Sequence, residues 1–269
     1  MKIKSGEITA LFPEKLSDFD FYTEEPYVIF QKEDFLNQEG YNLLAKNLDE
    51  YIKQNNLKKS ETGKECFPIY MSDIDILKKG YVKDFCNIFF TKSFKTWFKK
   101  THLPYFQKFR GFSFFYPYKR SRFIKVLGSI LSVIKIPINI FQIQIEFSHI
   151  VKDGFIAPHT DASSKRLAFV FYIPKDPTVL TPEIEKNWGT VFWRARKNKG
   201  SYKSWKTNHQ LSEAKLKKFY SHYTEGVISE YKPNKLNGFI KSNVSWHSVK
   251  PNNTNIDRRA IVINVYQYL

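Results

Sequence analysis

Two histidines and an aspartate have the types and spacing of a metal-ligand set. His159 and Asp161 sit two apart in APHTDASSKRLAFVFYI (157–173), and on an extended backbone two such side chains leave the same face. His247, 86 residues after Asp161 in FIKSNVSWHSVKP (239–251), is the candidate third ligand. Two imidazoles and one carboxylate cap one face of an octahedral ferrous ion and leave three positions open, enough for a bidentate 2-oxo acid and for oxygen. A His-x-Asp tripeptide alone is common, so the context carries the reading. Arg258 and Arg259 open the last β-prone run, DRRAIVINVY (257–266), eleven and twelve residues beyond His247. A 2-oxo diacid held through its oxo-carboxylate end needs a cation at its far carboxylate, and a guanidinium offers a planar two-point fork. Either arginine could serve.

The elements that must position these residues are β-rich. From about residue 141 short runs alternate with polar turns: FQIQIEFSHI (141–150), RLAFVFYI (166–173), GTVFWRA (189–195), LNGFIKS (236–242) and AIVINVYQYL (260–269). In the first, Gln142, Gln144 and Glu146 alternate with Ile143, Ile145 and Phe147, the period of a strand with two unlike faces. Several short strands with polar turns predict a sandwich or jelly roll. The Lys/Ser-rich segment 196–235, with a helical piece at 211–223, is expected to be a lid or binding loop. Upstream, YVIFQ (27–31) predicts a strand, and residues 34–55 predict a helix weakened by Gly40. Further helices are expected from Ser72 and over 85–100, after a break at Gly80. No repeat and no low-complexity linker divides the chain, so residues 1–269 read as a single domain. In it a mainly helical N-terminal elaboration (1–125) precedes a β core (141–269), an α+β chain that is mainly β with N-terminal helices.

His159-Thr160-Asp161, a β-run ending near Tyr172-Ile173-Pro174, Trp188-Gly189-Thr190, His247-Ser248-Val249 and Arg258-Arg259-Ala260 form one ordered pattern. It resembles the iron(II)/2-oxoglutarate-dependent oxygenase superfamily, in the style of its prolyl-hydroxylase-like branch. The resemblance covers roughly residues 141–269, with a weaker echo at 27–44. It implies a double-stranded β-helix (jelly roll, cupin-like) in which His159, Asp161 and His247 hold Fe(II). It implies Arg258 as the 2-oxoglutarate anchor, because the family pattern is Arg, any residue, then a small residue, here Ala260. The implied reaction is that of a dioxygenase, with hydroxylation of a substrate, release of succinate and carbon dioxide, and ascorbate as an optional reductant. Halogenating relatives lack the carboxylate ligand, so Asp161 argues against that outcome. Many relatives carry a tyrosine shortly before the first ligand, where this chain has Phe155 and Ile156. The rival from another class is a non-catalytic jelly-roll binding module, against which the complete ligand set and the arginine count. A nucleic-acid demethylase would have a longer arginine signature ending in Phe-Arg, which AIVINVY does not supply.

Composition bounds the remaining questions. Aromatic residues make up 17% of the chain, enough to build a substantial core and to exclude a disordered chain. The formal charge of +17 favours an anionic substrate, small or polymeric: a peptide, an amino acid, a glycan or a lipid-linked sugar, with nucleic acid disfavoured by the missing signature. The lysines are scattered, as on solvated faces. Cys66 and Cys86 fit neither a disulfide framework nor a zinc site, and the N-terminus lacks an apolar signal stretch, so a cytoplasmic location is expected. The apolar stretch 123–141 is interrupted by Lys125, Lys135 and Pro137 and reads as core plus loop, while the basic, aromatic 118–125 segment would allow peripheral membrane contact. His102, His149, His209 and His222 have no partner spacing, and structural or surface roles are expected. Trp188, Trp193 and Trp246 are expected in the core rather than in a pocket wall.

Overall fold

The computed structural model of the chain describes residues 1–54, 58–59, 64–69, 80–105, 112–117, 138–197, 213–251 and 254–268. A hairpin of β1 (Lys2–Ser5) and β2 (Ile8–Leu11) turns at Gly6, whose φ of +56° suits a residue without Cβ. β3 (Phe21–Thr23) and β4 (Ile29–Lys32) lead to α1 (Gln38–Gln54), which buries Tyr41, Leu44, Leu48 and Tyr51 at helical spacing. The helix starts later than the expected residue 34. The N–H of Phe35 donates to the Asn234 carbonyl and that of Leu36 to Asn234 Oδ1, both at 2.9 Å, which commits these residues to the core before the helix begins.

β5 (Lys58–Lys59) and β6 (Lys64–Ile69) follow, while the helix expected from Ser72 lies outside the described residues. The single helix expected over 85–100 is two, α2 (Tyr81–Ile88) and α3 (Lys92–His102). Thr91 makes the break, its hydroxyl accepting from the Phe94 N–H at 3.0 Å and so capping a new helix. After β7 (Phe112–Pro117) come β8 (Ile138–Ile150), β9 (Ile156–His159), β10 (Lys165–Tyr172), α4 (Pro182–Asn187), β11 (Thr190–Ala195) and α5 (Glu213–His222). β12 (Tyr223–Ser229), β13 (Leu236–Ile240), β14 (His247–Val249) and β15 (Arg258–Tyr268) complete the chain.

The larger sheet has the order β3-β4-β13-β10-β15-β8-β6-β5, with β7 beside β8, and the smaller has the order β12-β11-β14-β9. The pairings are antiparallel except for β7 with β8. Residues 1–125 thus supply strands as well as helices, and these strands extend both edges of the larger sheet. The connection expected over 196–235 is also shorter than its sequence suggested. Tyr223–Ser229 is a strand of the smaller sheet, and the register slips between Phe192 and Trp193, opposite Gly226. A bulge there disguises the alternation. Residues 198–212, the centre of the expected lid, and residues 118–137, with the basic segment and most of the apolar stretch, lie outside the described residues. Among the described residues no helix is long and apolar enough to cross a membrane.

The two faces of the larger sheet differ. Ile143, Ile145 and Phe147 of β8 stand opposite Val265, Ile263 and Ile261 of β15, which oppose Leu167, Phe169 and Phe171 of β10. This apolar face packs on Leu44, Phe85, Phe89, Phe94 and Phe98 of the N-terminal layer, with Phe85 and Phe171 stacked at 5.1 Å between ring centres. The other face carries Gln142, Gln144, Glu146 and Ser148 opposite Tyr266, Asn264, Val262 and Ala260. It turns towards the smaller sheet: Ala168 packs with Phe192, and Val170, Tyr172 and Ala260 with Val249.

Candidate metal centre

His159 ends β9 and His247 begins β14, and the two are register partners, so their rings lie side by side, 4.2 Å between centres and tilted by 52°. Each ring is oriented from behind. His159 Nδ1 lies 2.9 Å from the Ala157 carbonyl, and His247 Nδ1 lies 3.0 Å from the Ser245 carbonyl. A carbonyl can only accept, so both Nδ1 atoms carry a proton, which leaves Nε2 as the ring atom each histidine can offer a metal. The Nε2 atoms meet Asp161: Oδ1 is 3.5 Å from His159 Nε2, and Oδ2 is 3.5 Å from His247 Nε2. Among the described residues this is the group of three whose ligand atoms all lie within 4.8 Å of one another.

Asp161 does not meet the histidines in the way its two-residue spacing from His159 suggested. β9 ends at His159 and Asp161 has φ +66°, so its carboxylate reaches the histidines through a left-handed turn and not by strand alternation. Aspartate tolerates that conformation better than most residues. Asp161 is 7% exposed, and its Oδ2 has no hydrogen-bond partner, an expensive state for a buried carboxylate oxygen. Oδ1 is held by Lys165 Nζ at 2.8 Å. Burial alone would raise the Asp161 carboxyl, but Lys165, then His247 and His159, outweigh it and hold the carboxyl well below its ordinary range. Burial, with His159 beside it, pushes the His247 imidazole down to about 3. A neutral imidazole and an ionised carboxylate with an unpaired oxygen fit a first-row divalent cation.

Arg258 and Arg259 are both buried, but they leave β15 on opposite faces. Arg258 points between the sheets, donating from Nε to the Trp188 carbonyl at 2.8 Å and from Nη2 to Thr190 Oγ1 at 3.3 Å, with the Tyr172 and Tyr231 rings beside its guanidinium. Arg259 points to the helical layer, where Asp49 lies 2.7 Å away and Phe147 beneath it. Thr190 is two residues along β11 from Phe192, the register partner of His247. That step is about 7 Å along a strand, comparable to the length of a five-carbon diacid. The same face of the larger sheet carries two buried amides that lack partners: Asn237 has no side-chain hydrogen bonds, and Asn264 Oδ1 has no partner.

Sequence reasoning missed Lys165, Asn237 and Asn264. The alternation Gln142, Gln144, Glu146 was the available signal for a polar interior. Of the other histidines, His102 is buried among aromatic rings with Thr101 Oγ1 at 2.6 Å from its Nδ1, His149 pairs with Asp257 at 3.0 Å, and His222 stands 2.9 Å from Ser221 Oγ. His209 lies outside the described residues. Trp188, Trp193 and Trp246 are buried in the core, and Cys86 is a buried free thiol.

No family model matches the chain, and no curated protein matches it in sequence. Solved structures do match in shape. A prolyl-4-hydroxylase from Pseudomonas putida superposes with a TM-score of 0.51 at 11% identity, over 93% of this chain and 96% of that one. A prolyl hydroxylase from Trichoplax adhaerens, solved in complex with a peptide fragment of the hypoxia inducible factor oxygen degradation domain, superposes with a TM-score of 0.52 at 10% identity, over 88% of this chain and 83% of that one. The chain has the fold of the prolyl hydroxylases, the branch of the iron(II)/2-oxoglutarate oxygenases that its residue pattern resembles.

Proposed function

We propose that this protein is an iron(II)- and 2-oxoglutarate-dependent dioxygenase that hydroxylates its substrate with release of succinate and carbon dioxide. The observation that carries the reading is the convergence of two imidazole Nε2 atoms on a buried carboxylate with an unpaired oxygen. Consecutive strands from β8 to β15 divide between the two sheets as β8, β10, β13, β15 and β9, β11, β12, β14, which supports a double-stranded β-helix. His159, Asp161 and His247 would hold the iron, and Arg258 would bind the far carboxylate of the cosubstrate. Bound iron(II) and 2-oxoglutarate supply the oxidising chemistry. The protein's own contribution is positional. The Ala157 and Ser245 carbonyls fix the imidazole tautomers, and the Trp188 carbonyl and Thr190 hydroxyl hold the guanidinium where a diacid would end.

An anionic substrate fits the cations around the site. Arg166 follows Lys165 in β10, and its carbonyl accepts the Lys241 N–H at 2.9 Å. Burial, and then Arg166, push the Lys241 ammonium below its ordinary value, so this corner favours a neutralising anion. A peptide is one candidate, in keeping with the peptide bound by the Trichoplax protein. The test is iron-dependent turnover of 2-oxoglutarate to succinate, measured with a panel of acidic peptides, amino acids and glycans. Succinate release that needs iron and is lost in His247→Ala supports the reading. A protein that binds neither iron nor 2-oxoglutarate refutes it.

A further inference from the structure

We propose that Lys165 is a positioning residue of the metal centre, holding Asp161 so that it offers one oxygen, Oδ2, to the ion. The inference rests on the reading of His159, Asp161 and His247 as metal ligands. Lysine is seldom buried unless it is paired, and Lys165 is 8% exposed. Its Nζ reaches Asp161 Oδ1 at 2.8 Å, while Oδ2, on the His247 side, has no hydrogen-bond partner. The two carboxylate oxygens are therefore already distinguished, one occupied and one available.

The backbone between these residues is built for the contact. The Lys165 N–H donates to the Ala162 carbonyl at 3.1 Å, which folds residues 162–165 into a turn, and the register with β15 slips between Lys165 and Leu167. The slip frees the Lys165 side chain from strict strand alternation and lets it bend back to the residue four places earlier.

Two effects oppose each other. An ammonium near a metal site repels the metal, whereas a hydrogen bond to the distal oxygen fixes the direction of the proximal one. The second should win here, because the negative carboxylate lies between the ammonium and the ion, and loss of such outer partners typically weakens metal affinity about 10- to 100-fold. Denticity matters as much as affinity. A carboxylate that chelated through both oxygens would consume a coordination position that a bidentate cosubstrate and a third ligand require.

The full-length protein is titrated with Co(II) in the absence of oxygen, and both affinity and the visible d–d absorption are recorded, with thermal unfolding of the metal-free protein as the control for folding. Lys165→Met is expected to bind Co(II) 10- to 100-fold more weakly than the unaltered protein and to show a changed d–d band, which reports coordination and would not move if Lys165 were merely structural. Lys165→Gln, which loses the charge but stays polar, is read by the same criterion should the methionine variant fail to fold. Wild-type affinity with a wild-type spectrum, or tighter binding, overturns the inference while leaving the metal centre intact. Absence of Co(II) binding by the unaltered protein fells the metal reading itself, and this inference with it.

Discussion

Truncating Arg258 should separate its role from that of its neighbour. Its Nε and one Nη are engaged by the Trp188 carbonyl and the Thr190 hydroxyl, so the guanidinium is held before any ligand arrives, and only its remaining N–H groups are left for a carboxylate. The end-on pair of Nη groups still leaves a two-point fork for a carboxylate. Each charge-assisted hydrogen bond is worth about 1.5–3 kcal/mol, and removing one partner of a buried charged pair costs roughly 2–5 kcal/mol. At about 1.4 kcal/mol per tenfold, Arg258→Ala should weaken 2-oxoglutarate about 10-fold or more and leave metal affinity unchanged. Arg259 faces Asp49, whose side chain is 41% exposed, on the opposite side of the sheet, so Arg259→Ala should leave 2-oxoglutarate affinity within about twofold. Calorimetric titration of 2-oxoglutarate into the Mn(II)-loaded variants measures both. Wild-type affinity in Arg258→Ala, or a loss confined to Arg259→Ala, would refute the placement of the anchor.

Three further outcomes follow from the same geometry. His159→Ala, Asp161→Ala and His247→Ala should each abolish tight Fe(II) binding yet keep the circular dichroism of the parent; retained tight binding in all three would remove the centre. Burial pushes the His102 imidazole from 6.5 down to about 3, so between those values the unfolded chain binds the extra proton and stability falls as the pH drops. The slope is up to about 1.4 kcal/mol per pH unit, and His102→Phe should remove that share of it in urea melts between pH 7 and pH 4. Tyr172 OH accepts the Thr190 N–H at 3.1 Å inside the core, so Tyr172→Phe should cost about 1–3 kcal/mol in the same assay.

The candidate site was legible because its chemistry is local in type if not in space: two imidazoles, a carboxylate and a following arginine need only their identities and order. The side of β15 that each arginine takes was legible from strand alternation. Much of the smaller sheet was not, since β9 has four residues and β14 three, too few for periodicity to register. Gly226 and its bulge hid β12 inside what read as a loop. The break between α2 and α3 turned on one threonine cap in an otherwise continuous apolar pattern. Lys165 could not be read at all, because its contact depends on a left-handed residue and a register slip, both of which are decided by the folded sheet.

The unlike faces of the larger sheet divide its labour. Cohesion resides on one side, where β8, β10 and β15 lay their apolar residues against the helical layer, and the polar residues Gln144 and Asn264 lie on the other, which turns towards the smaller sheet and the proposed metal centre. A strand that must satisfy both demands with one set of side chains cannot change its ligand without risking its fold. Here adjacent residues answer to different pressures. Polar inward positions outside the buried cluster, such as Gln144, can be exchanged at smaller cost in stability than the apolar ones. A cavity cut at Phe85 or Phe169 would loosen the larger sheet, against which the strands carrying His159 and His247 pack.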